Sequence, residues 1–152
     1  MRLALDLVSK ETFTFNADVP VGALIVDSQG QIIAESTNRK EKEKDPTAHA
    51  EILALRKAGG ATGSPNLSDL TLVVTLEPCA MCAGAIAQAR ISRLIFGAWD
   101  PKGGAAGSKY DLVRDRTLPH RVSEVVGGVL ERDCQEVLWD FFTTLKRPAD
   151  LN

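Results

Sequence analysis

The chain has 152 residues, 44% of them hydrophobic and 25% charged, with a formal net charge of −2. That length suits one domain with a sizeable core and is short for two, the composition excludes disorder over most of the chain, and no apolar run approaches a membrane span. Charge is segregated: residues 1–89 sum to −3, residues 90–121 to +4 and residues 122–152 to −3, so the middle segment reads either as a solvated loop region or as a face for a phosphate backbone.

The opening "MRLALDLVSKETF" is amphipathic and lacks the apolar centre of a cleavable leader, so a cytoplasmic location is expected. The helix that it begins starts abruptly, which suggests a trimmed amino terminus. "VGALIVD" and "QIIAES" are β-rich runs around "SQG" and predict a hairpin. "AHAEILALRKAGG" predicts a helix with Ile52, Leu53 and Leu55 on its apolar face and Gly59–Gly60 at its end. "LTLVVTL" reads as a strand buried on both faces. Pro78 suits the first turn of an alanine-rich helix, "PCAMCAGAIAQAR". "RLIFGA" is a second buried strand and "SEVVGGVL" a weaker third. The final helix, "ERDCQEVLWDFFTTLKR", places Cys134, Val137, Leu138, Phe141, Phe142 and Leu145 on one stripe, and Pro148 stops it. Strands alternating with helices imply an α/β domain over residues 1–152 with right-handed crossovers and helices on both faces of the sheet.

The chemistry concentrates in "TLEPCAMC", residues 75–82. Cys79 and Cys82 admit three readings: a redox dithiol between strand and helix, half of a closed structural zinc site, or part of an open catalytic one. A closed site needs four ligands. Beyond this pair the chain offers Cys134, on the inward stripe of the last helix, and two histidines, His49 and His120. An open site needs three, and His49, Cys79 and Cys82 supply a soft donor set that suits zinc. The two cysteines fall one helical turn apart in the first turns of a helix, where the dipole favours thiolate. The fourth position is left for water, whose pKa zinc lowers to about 7. Glu51, two residues from His49, is the candidate proton shuttle. That spacing shares a face only if the pair sits at a helix start. A lone first-turn glutamate is often only a partner for the dipole, and a lone histidine is seldom a ligand. The combination His-Ala-Glu, 26 residues, then Pro-Cys-x-x-Cys is far more specific and matches the pattern of zinc deaminases.

The stretches "VPVGALIV", "DPTAHAEILALR", "TLVVTLEPCAMCAGAI", "SRLIFGAWDPKGGAAGS" and "HRV" resemble the bacterial tRNA-specific adenosine deaminases, from about Val19 to Phe142. The earlier stretches are shared with many cytidine-deaminase-like proteins, and "FGAWDPKGGAAGS" points to the tRNA-editing branch. The resemblance implies a three-layer α/β/α cytidine-deaminase-like fold with a five-stranded mixed sheet. It implies a homodimer with one zinc per subunit, converting the wobble adenosine in the anticodon stem-loop of an arginine tRNA to inosine. His49, Cys79 and Cys82 take the ligand roles and Glu51 the shuttle. Asn38 matches a base-pocket asparagine, Asp100 a position near the RNA backbone and the flipped nucleotide, and Val19, Ala48 and Leu76 match pocket walls. Ordinary readings stand beside these: a turn residue for Asn38 and Asp100, core packing for the apolar three. Glycines of "PKGGAAGSKY" are expected to bring backbone N–H groups and Lys109 to phosphates. The chain has Pro119 where the family often carries asparagine, and its end is weakly basic, so more salt-sensitive tRNA binding is expected. The rival readings are a free-base or nucleoside deaminase acting in guanine or cytosine salvage, a non-catalytic RNA-binding subunit of a deaminase complex, and the redox protein. No role is assigned to Glu77.

Overall fold

The computed structural model describes residues 1–9, 17–118 and 120–145. In chain order its elements are α1 (Arg2–Val8), β1 (Gly22–Val26), β2 (Ile32–Thr37), α2 (Lys40–Glu43), α3 (Ala50–Thr62), β3 (Thr71–Leu76), α4 (Ala80–Gln88), β4 (Arg93–Ala98), β5 (Glu124–Val126) and α5 (Glu131–Leu145). The strands form one mixed sheet in the order β2-β1-β3-β4-β5. β1 runs antiparallel to β2 and β3, and β3, β4 and β5 run parallel. The hairpin falls where the β-rich runs placed it. Its turn is held by the Asp27 carboxylate, which accepts the N–H groups of Gln29 and Gln31 at 2.9 Å.

Strand alternation sorts the side chains into three layers. Ala23, Ile25, Leu72, Val74, Leu94 and Phe96 point to one face and pack with Ala50, Ala54, Leu55 and Ala58 of α3 and Ala83 and Ile86 of α4. Leu24 and Val73 point to the other face and meet Ala4 of α1. α5 lies on that same face beside β4. There Gly97 is required by close approach, since a Cβ would overlap Cys134 Sγ and the Thr75 carbonyl oxygen. Each large apolar side chain buried in the first cluster stabilises by about 1.5–3 kcal/mol, so the α3–α4 face carries most of the hydrophobic stabilisation. It is also the face that holds the starts of both helices in place. Among the described residues no helix is long and apolar enough to cross a membrane.

Several expectations need correction. α3 does not end at Gly59–Gly60. It runs to Thr62 and stops at Gly63, whose φ of 67° is a left-handed cap. Its buried face is a stripe of small residues, Ala50, Ala54 and Ala58, with Leu55, while Ile52 and Leu53 are half-buried. Alanines let the helix sit close to the sheet, and a search for large apolar residues passes over them. Pro78 stands just outside α4, whose N-cap is Cys79. α5 buries Cys134 and Phe141, but Phe142 is 47% exposed and Trp139 71%. β5 is only three residues long, so the sheet offers α5 little floor beyond β4. α2, from the charged run "KEKE", carries no periodic apolar signal and was not expected. The connection from β4 to β5, residues 99–123, holds no helix among its described residues. The Leu145 side chain, Pro119 and Pro148 lie outside the described residues.

Candidate metal centre and substrate cavity

The centre is built from two helix starts. His49 is the N-cap of α3, with an extended backbone (φ −72°, ψ 152°), and Glu51 lies in the first turn. Cys79 is the N-cap of α4 (φ −73°, ψ 175°), and Cys82 follows in its first turn. An N-cap side chain leaves the helix on a different path from the residues after it. That is how His49 and Glu51, two residues apart, reach one cavity. His49 Nδ1 lies 3.7 Å from Cys79 Sγ and 3.5 Å from Cys82 Sγ, and the three ligand atoms all fall within 4.8 Å of one another.

The donor set fits zinc. With Zn–S near 2.3 Å and Zn–N near 2.0 Å, a tetrahedral ion separates sulfur from nitrogen by about 3.5 Å, which the two His49 distances bracket closely. The titration behaviour agrees. The hydrogen bond from Cys82 lowers the Cys79 thiol to about 3, with His49 adding to the effect. The same bond, together with burial, raises Cys82, and the bond with Cys79 raises His49. A Cys79 thiol pushed toward thiolate beside the Cys82 sulfur makes this a spot where a cation is electrostatically favoured. The candidates for a closed site lie elsewhere: Cys134 packs against Gly97 on the opposite face of the sheet, and His120 lines a small hollow with Ala87 and Gln88 at the far end of α4. Among the described residues no other cluster of this kind is present.

Above the triad is a cavity of about 250 Å³, lined by Val19, Val21, Asn38, Lys40, His49, Ala50, Glu51, Leu76, Glu77, Cys79 and Asp100. Of the residues singled out in the sequence, Val19, Asn38, Leu76 and Asp100 come together here. Ala48 does not join the lining. It is fully buried, and its carbonyl accepts the Arg39 N–H at 2.9 Å. Glu51 is 4% exposed, and burial raises its carboxyl above the ordinary glutamate range. The Asn38 side-chain NH2 donates to the Val19 carbonyl at 3.1 Å, which holds Val19 at the wall. Asp18 supports the same segment by accepting the N–H groups of Glu41 at 2.6 Å and Lys42 at 3.2 Å.

Glu77 is the cavity residue that sequence reasoning left without a role. It is 2% exposed, and its Oε1 accepts the N–H groups of Ala106 and Ser108, both at 2.9 Å. Its Oε2 accepts the Asp100 N–H at 2.9 Å and the Ser108 hydroxyl. Burial opposes ionisation of this carboxyl, yet the four donors together hold its pKa below the usual value. The expectation that loop N–H groups reach phosphates is therefore corrected for nine N–H groups of this stretch. The N–H groups of Asp100, Ala106 and Ser108 go to Glu77, that of Lys102 to Asp100 Oδ1, and those of Gly104, Ala105, Gly107, Lys109 and Tyr110 to main-chain carbonyls. The side chains of Lys102 and Lys109 remain exposed.

Residues 1–98 match the cytidine and deoxycytidylate deaminase zinc-binding region. The chain is 46% identical over 142 residues to a tRNA-specific adenosine deaminase of Haemophilus influenzae, covering 93% of this chain and 80% of that one. It resembles a solved structure from work on A-to-I editing by tRNA:A34 deaminases at the wobble position of transfer RNA. That match has a TM-score of 0.69 at 45% identity over 77% of this chain and 83% of the other. A guanine deaminase from Nitrosomonas europaea superposes with a TM-score of 0.77, but at 24% identity over 93% of this chain and 82% of that one. The last likeness speaks for the fold alone.

Proposed function

The chain belongs to the cytidine and deoxycytidylate deaminase family, within its tRNA-specific adenosine branch, and from that premise we propose that it hydrolyses the 6-amino group of the wobble adenosine of a transfer RNA, leaving inosine and ammonia. The observation that carries the reading is the His49, Cys79 and Cys82 cluster at the base of a cavity that His49, Cys79 and the buried Glu51 line together. His49 Nδ1 and the two cysteine sulfurs would hold the zinc, which when bound would supply the Lewis acidity that lets water react near neutral pH. Glu51 accepts one proton of the attacking water and delivers it to N1 of the base, then takes the second from the new hydroxyl at C6 and passes it to the departing amine. Its burial suits this task, because a carboxyl with a raised pKa both takes and returns a proton readily.

The cavity, at about 250 Å³, falls below the ~300–1,000 Å³ of pockets for drug-sized ligands. That size suits one base swung out of its stack, with ribose and phosphates left outside. Val19 and Leu76 pack against the base. Asn38, with its NH2 group engaged by Val19, offers the base edge the remaining lone pair of a carbonyl oxygen that also accepts the Lys40 N–H at 3.4 Å. Asp100 sits where the backbone enters, and the exposed lysines of the +4 segment meet phosphates. The finer parts of the proposal are that residues 1–152 form one deaminase domain, that it works as a homodimer with one zinc per subunit, and that its substrate is the anticodon stem-loop of an arginine tRNA.

Incubation with an arginine tRNA carrying adenosine at the wobble position, followed by reverse transcription, tests the reading, since inosine is then read as guanosine. Conversion at that position by the purified protein supports it and excludes a non-catalytic subunit. No conversion with zinc bound overturns it, and ammonia release from guanine or cytosine instead would move the protein to free-base salvage.

A further inference from the structure

Glu77 is a buried carboxylate whose four partners are all neutral donors, and every one comes from residues 100–108. A buried charge is tolerated only when such bonds replace its hydration, and four donors on two oxygens achieve that. The fit is tight: a Cβ at Gly104 would overlap the Glu77 carboxylate and the Asp100 carbonyl oxygen. The strand end bearing Glu77 is also stitched to the same loop through its backbone. Ala105 N–H donates to the Pro78 carbonyl at 2.8 Å, and Cys79 pairs with Gly104 in an isolated antiparallel bridge. The carboxylate thus occupies the concavity of N–H groups that elsewhere would receive a phosphate. One of those N–H groups belongs to Asp100, which lines the cavity.

We propose that Glu77 is a positioning residue, an internal anion that fixes the 100–108 loop to the segment bearing Cys79 and so places Asp100, Lys102 and Lys109 for the RNA strand. The proposal rests on the tRNA reading for what the loop meets, but not for how the loop is held. Its chemistry leaves the catalytic step to Glu51 and assigns Glu77 to substrate engagement.

Glu77→Gln tests it, because the amide keeps the shape and turns one acceptor into a donor facing donors. The zinc-loaded variant and wild type are compared by amide hydrogen exchange, by metal content, and by kcat and KM on tRNA. The loss of charge-assisted bonds is expected to speed exchange at Asp100, Ala106 and Ser108 by about tenfold or more, to leave zinc stoichiometric, and to raise KM about tenfold with kcat within about threefold. Unchanged exchange overturns the proposal, as does a fall in kcat at constant KM. If Glu77→Gln loses zinc or fails to fold, Ser108→Ala decides, since it removes one donor and leaves the carboxylate charged. A rise in KM of about threefold with zinc retained then supports the proposal, and an unchanged KM overturns it. Should wild type fail to convert tRNA at all, the tRNA reading fails, and the exchange result still decides whether Glu77 holds the loop.

Discussion

The floor and the mouth of the cavity are built by opposite means. The floor is two helix starts, whose N-caps are His49 and Cys79, seated on the best-packed face of the sheet. The mouth is an irregular stretch that follows β4 and is fixed by one buried carboxylate from another segment. The floor has its geometry before any ligand arrives, as a reaction centre needs. The mouth is held by polar bonds that can each be removed singly. Chemistry and substrate engagement should therefore be separable by mutation, and the largest effects belong to the floor.

Cys79→Ala should abolish zinc binding and bring turnover below detection, because two ligands do not complete a site of this kind. Elemental analysis alongside the inosine assay checks both. Chelation of wild type should likewise stop turnover, and zinc should restore it. Glu51→Gln should separate metal from proton transfer. Zinc stays bound, while kcat falls by about 10²- to 10⁴-fold, the usual contribution of a general acid–base group. Retained activity would remove Glu51 from its role.

The same contrast explains what was legible in the sequence. His49, Glu51, Cys79 and Cys82 were legible as a set because the combined spacing of His-Ala-Glu and Pro-Cys-x-x-Cys is specific, and the two helix starts that bring them together are local features. The strands were readable because β3 and β4 are apolar on both faces. Glu77 was not, because its partners lie 23 to 31 residues downstream in a stretch without periodicity. One signal was present in the glycines of "PKGGAAGS", but it was read as room for a phosphate, whereas the room at Gly104 is filled by a carboxylate of the same chain. The inward face of α3 was misjudged for a related reason: alanines at positions 50, 54 and 58 mark close approach to the sheet, and size alone does not show it.

A pair of glycine variants sharpens the contrast at smaller amplitude. Gly104→Ala drives a methyl group toward the Glu77 carboxylate, and Gly97→Ala drives one toward Cys134 on the other face of the sheet. Overpacking of this kind costs about 1–3 kcal/mol, so denaturant titration should show losses of similar size in both. Only Gly104→Ala should also raise KM for tRNA. An equal KM change in the two variants would mean that general destabilisation, and not the loop, governs substrate engagement.

The smallest effect separates charge from backbone at the mouth. The N–H groups of Asp100, Lys102, Ala106 and Ser108 are taken up within the protein, and the charged groups that this loop holds out to phosphates are the exposed side chains of Lys102 and Lys109. A lysine that neutralises a phosphate adds about 0.7 to 0.9 to the slope of log affinity against log salt, and a neutral N–H adds nothing. Replacing both lysines with alanine should therefore flatten that slope by about 1.5 and weaken binding across tRNA sequences alike, with kcat at saturating substrate unchanged. Binding isotherms at several salt concentrations measure it. An unaltered slope would place the ionic contacts elsewhere in the +4 segment, with the exposed Arg116 and Arg121 next to be replaced.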